Sequence, residues 1–170
     1  MSLREKALLK YSIKLKQKFL YVCKLNLFAI GLYLIFSVSN QTHANISLMP
    51  DNSETITIGK DIYLQECASC HGENLAGQAN WRQRDGKGYM PAPPHNKNGH
   101  TWHHSDNSLF MMTKYGIEKI IGKKYPNNMP AYENMLSDDE IIAVLSYIKS
   151  TWPTYIQLQH DQINTRSNLE

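Results

Sequence analysis

Apolar residues fall at helical spacing in three places along the chain. From Thr57, the stretch TIGKDIYLQECASC has Ile58 and Ile62 four apart with Tyr63 beside them, which predicts a helix ending at the cysteines. SLFMMTKYG, with Ser105 or Asp106 as its cap and Gly116 at its end, predicts a second, followed by a short helical piece over 116–121. The clearest element is LSDDEIIAVLSYIKSTWP. Ser137 and Glu140 have capping-box spacing, acids fill the first turn, Lys149 lies near the end, and Pro153 stops the helix. Ile141, Val144, Leu145 and Ile148 form its apolar stripe.

Between these segments the pattern breaks down. Residues 72–104 carry too many glycines and prolines for a regular element, and GKKYPNNMPAYENM reads as another loop. No stretch sustains the alternation of a strand, so the expected fold class is all-α, with short helices and long loops. Residues 45–56 read as a polar linker, 57–152 as the folded domain, and 153–170 as a polar, loosely held tail. So few helices bury little apolar surface for so much loop, which implies that something besides side chains fills the middle.

Charge separates off the first 44 residues. They hold seven of the 18 basic residues and one acid, Glu5, followed by the uncharged run LNLFAIGLYLIFSVS and then Thr42 and Ala44 at small-residue cleavage positions. That order predicts a signal peptide, or an N-terminal membrane anchor through residues 20–40 if it is not cleaved. The expected location is periplasmic, either soluble or tethered. Without the leader, the formal +3 of the chain becomes −3 for residues 45–170. The basic character therefore belongs to the leader and gives no support to nucleic-acid binding.

Cys23 falls in the leader, which leaves Cys67 and Cys70 within ECASCH. Zinc wants four ligands, and no second cysteine pair exists, although His95, His100, His103 and His104 offer imidazoles. A dithiol oxidoreductase needs this motif on a βαβ unit, which the pattern does not predict. The remaining reading is covalent haem, with both sulfurs bonded to the porphyrin edge and His71 beneath the iron.

Three separated features carry a family resemblance: Cys67-Ala-Ser-Cys70-His71 after a helix, Met129-Pro-Ala-Tyr132 before the last helix, and Gly59 and Tyr63 facing Val144 and Tyr147. Over roughly 57–152 the chain resembles a class I c-type cytochrome. The resemblance implies a helical fold around one haem c, with thioether bonds at Cys67 and Cys70, proximal ligand His71 and distal ligand Met129. It also implies a backbone carbonyl at Pro93 or Pro94 as acceptor for the second nitrogen of His71. Thioether ligation of the iron favours the ferrous form and raises the reduction potential. The expected activity is one-electron transfer between redox proteins, with no catalytic residue. Met90, also followed by proline, ranks behind Met129, and Met111 and Met112 are expected to pack in the core.

Two rivals remain. In one, Met129 is not a stable ligand, and the haem serves an enzyme or gas sensor with a labile sixth position. In the other, the loop PHNKNGHTWHHSD binds copper or zinc through its four histidines. Trp102 is the expected donor to a haem propionate, and Arg82, Arg84 and Lys87 are candidates to neutralise the other.

Overall fold

The computed structural model describes residues 46–169; the leader and Cys23 lie outside them. The elements are α1 (Ser53–Ile62), a π-helical turn (Tyr63–Cys67), α2 (Ala68–His71), a 3-10 turn (Thr101–His103), α3 (Asp106–Tyr115), α4 (Ile117–Ile121), α5 (Asp138–Ser150) and α6 (Thr154–Ser167). Among the described residues there is no strand, and Met90 and Asn127 form an isolated parallel bridge. The fold is all-α, as the pattern predicts. No helix among the described residues is long and apolar enough to cross a membrane.

The main packing contact is the crossing of α1 and α5, and it depends on a missing side chain. A β-carbon on Gly59 would collide with the carbonyl of Ala143 and crowd Tyr147 Cβ. The two backbones therefore touch where glycine stands. Tyr63, fully buried, packs its ring 5.5 Å from that of Tyr147 just beyond the crossing. Ile141, Val144, Leu145 and Ile148 are all buried along α5, and the Ser137–Glu140 capping box closes its N-terminus. Of the two isoleucines whose spacing marks α1, Ile62 is buried and Ile58 is 47% exposed; the other buried position on the helix is Gly59.

Both flanks differ from their sequence reading. The 45–56 stretch does not behave as a linker over its described part. Leu48 is buried, its N–H donates to Asp106 Oδ2 at 2.9 Å, and Met49 N–H donates to Ser146 Oγ at 2.9 Å. Helix α1 already starts at Ser53, because Asn52 Oδ1 accepts the Thr55 N–H. The polar tail is also held. Pro153 does not end the ordered chain but caps α6, fourteen residues long, which buries Ile156 and His160. Asn164 accepts the N–H of Asp106, and Lys149 binds Asp161 at 2.7 Å. Two buried side chains in fourteen leave too faint an apolar stripe to read as a packed helix.

Candidate haem site

Cys67, Cys70 and His71 sit where α1 runs through a π turn into α2. The wider turn shifts the backbone ladder by one residue just before Cys67, with Ala68 N–H reaching back to Tyr63 O. Two tyrosine hydroxyls bracket the segment. Tyr63 donates to the carbonyl of Gly72 at 2.7 Å, and Tyr132 donates to that of Glu66 at 2.9 Å. The two cysteines are not bonded to each other, Cys67 half-buried and Cys70 exposed. Before haem is attached, burial, helped by the neighbouring Glu66 charge, pushes the Cys67 thiol up to about 11, with the Tyr132 hydroxyl opposing the rise.

His71 is buried and oriented. Its Nδ1 lies 2.8 Å from the carbonyl oxygen of Pro93, so this nitrogen carries the proton and donates. Pro93, not Pro94, is therefore the acceptor. Gly77 makes room for the bond: with φ +68°, it lets the Pro93–Pro94 backbone pass where a β-carbon would lie 2.6 Å from the Pro93 carbonyl carbon. The ring of His95 stacks on that of His71 at 3.9 Å. A stacked ring fixes the imidazole plane without blocking Nε2, whose lone pair lies in that plane. Burial holds His71 below the ordinary imidazole range and His95 well below it, so both are neutral at pH 7.

The remaining predicted residues are more dispersed. Met129 lies on the surface loop, 40% exposed, with its N–H on Asn127 Oδ1. It lines an open groove with Lys87, Lys119, Lys123 and Lys124. Met90 lies beside the same loop, its N–H donating to Pro126 O at 3.0 Å. Met111 and Met112 pack against the core. Trp102 Nε1 is buried with no acceptor. Arg82 lies over the Trp81 ring, while Arg84 donates to Gly88 O and lies over Tyr125. The histidine loop does not converge on a metal: among the described residues no three His, Cys, Asp or Glu side chains form a metal-binding group. His100 instead stacks on Trp81 and His103 on Trp102.

These residues fit a haem. Two cysteines that do not pair with each other have two residues between them, the imidazole beside them is neutral with its far nitrogen available, and an orphaned buried indole N–H suits a carboxylate. A helical domain arranged around such a segment defines a covalent haem protein. The cytochrome c family model matches residues 56–152, more than half of the chain, and the chain belongs to that family. It is a haem-binding electron-transfer protein of the class I c-type, with haem c attached covalently. No curated protein and no solved structure matches the chain.

The sequence reading missed what holds the site together. The Tyr132 hydroxyl, the His95 ring and the Trp152 indole, which donates to His95 O at 2.7 Å, all support the Cys67–His71 segment from distant positions. Of these, Tyr132 was visible in advance, since a tyrosine fills the position where the family pattern needs only an aromatic.

Proposed function

We propose that the chain is an exported, periplasmic one-electron carrier with a single haem, working between a donor and an acceptor protein. Cys67 and Cys70 form the thioether bonds, His71 is the proximal ligand and Met129 the distal one. The bound haem supplies the Fe(III)/Fe(II) couple. The observation that carries this reading is the orientation of His71. Nδ1 is committed to Pro93 and the ring face to His95, so Nε2 is the nitrogen presented as a ligand. Trp102 provides a donor for one haem carboxylate. The lysines around Met129 give a net-negative domain one basic face, which supports an acidic redox partner docking there.

The test is the optical spectrum of haem-loaded protein, oxidised and reduced. A c-type reduced spectrum with a far-red methionine–iron band in the oxidised form, lost in Met129→Ala, supports the carrier. The exposure of Met129 favours a second reading, in which the sixth position is labile and the protein is a haem enzyme or gas sensor. Ready binding of carbon monoxide without a far-red band would select it.

A further inference from the structure

The pattern at Met129–Tyr132 calls for an aromatic ring at its last position; here that ring is a tyrosine and carries a hydroxyl. Tyr132 is 4% exposed and is fixed at three points. Its N–H donates to Thr113 O at 3.1 Å, its carbonyl accepts from Leu136 N–H at 3.0 Å, and its hydroxyl donates to Glu66 O at 2.9 Å. The three residues before it, Met129, Pro130 and Ala131, are exposed. Tyr132 is thus the first anchored residue after the proposed distal ligand. The residue it grips, 66 positions away, immediately precedes Cys67.

We propose that the Tyr132 hydroxyl is a positioning group that fixes the Met129 loop against the Cys67–His71 segment and so sets how firmly Met129 holds the sixth position. The inference rests on Met129 as the distal ligand. The buried ring and the backbone bonds to Thr113 and Leu136 hold the loop against α3 and its own following turn, but none of them reaches the Cys67–His71 segment. A hydrogen bond to a backbone carbonyl has direction and length, and it ends on the segment that anchors the haem. Tyr63 offers an internal control. Its hydroxyl makes an equivalent half-buried bond to the carbonyl of Gly72, on the far side of His71, and makes no hydrogen bond to the Met129 loop.

The experiment titrates haem-loaded, oxidised wild type, Tyr132→Phe and Tyr63→Phe with imidazole, an external ligand that must displace Met129 to bind. Tyr132→Phe is expected to keep the c-type spectrum and the far-red band at pH 7 and to bind imidazole about tenfold more tightly, the size of one neutral hydrogen bond. Tyr63→Phe is expected to bind imidazole as wild type does, while urea midpoints show both variants weakened to a similar extent. Should the phenylalanine variant load haem poorly, Tyr132→Leu, which also lacks the hydroxyl, is expected to shift affinity in the same direction. Wild-type imidazole affinity in the Tyr132 variants, or an equal gain in Tyr63→Phe, would overturn the proposal. Absence of the far-red band from wild type would instead remove Met129 as ligand, and the positioning role with it.

Discussion

Trp152 and His95, 57 residues apart, are joined by one bond: the indole N–H donates to the histidine carbonyl at 2.7 Å. The bond ties the end of α5 to the loop whose next contact is the stacked pair His95 and His71. Trp152 is 3% exposed, so its N–H has no water to turn to. Trp152→Phe keeps most of the apolar area but removes the donor from that half-buried carbonyl. It is expected to cost about 1 kcal/mol, read from the urea midpoint of the haem-loaded protein. Haem attachment, which depends on Cys67 and Cys70, should survive.

The Gly59 crossing makes a harsher prediction. Gly59→Ala puts a methyl group against the Ala143 carbonyl, and backbone cannot move aside as a flexible side chain can. The expected loss is about 3 kcal/mol or more, seen as a lower thermal midpoint. Alanine is the better helix former, so an unchanged midpoint would mean that α1 and α5 do not meet there.

How far these features were legible in the sequence depends on how local their causes are. The α5 helix carries its own instructions: Ser137 and Glu140 cap it and four apolar residues stripe it. The attachment segment is equally local, because five consecutive residues hold the chemistry. Tertiary bonds cast no such pattern. Pro93 reaches His71 only because Gly77 lets the backbone pass, and nothing in PAPPH distinguishes Pro93 from Pro94. Helix α6 stayed hidden because it is held mostly by polar contacts, through Asp161 and Asn164, rather than by an apolar face.

Trp102 gives a redox prediction. Its N–H is buried and unpartnered, and would partly neutralise a haem carboxylate if one bound against it. Trp102→Phe removes the donor and leaves that negative charge to favour Fe(III). The reduction potential is expected to fall, on the order of tens of millivolts, in a protein-film or mediated titration. A potential equal to wild type would assign the indole to packing alone.

His160 provides the pH dependence. It is fully buried on α6, its Nε2 lies 3.4 Å from Asp106 Oδ1 on α3, and Lys149 on α5 sits 4.0 Å from the same oxygen. Asp161 faces the group from α6 and the His104 carbonyl from the turn before α3. Burial, reinforced by the Lys149 charge, lowers His160 below the ordinary imidazole range despite the opposing pull of Asp106. The folded protein therefore holds this ring neutral, while the unfolded chain protonates it near pH 6.5. The stability that follows is fully present above that value and declines as pH falls toward the lower folded value. Urea midpoints at pH 7.5 and pH 5 are expected to show this loss in wild type. In His160→Phe, which fills the site without a titrating group, the difference should shrink. An identical pH profile in the two proteins would mean that α6 is held by Asn164 and Ile156, with His160 as a bystander.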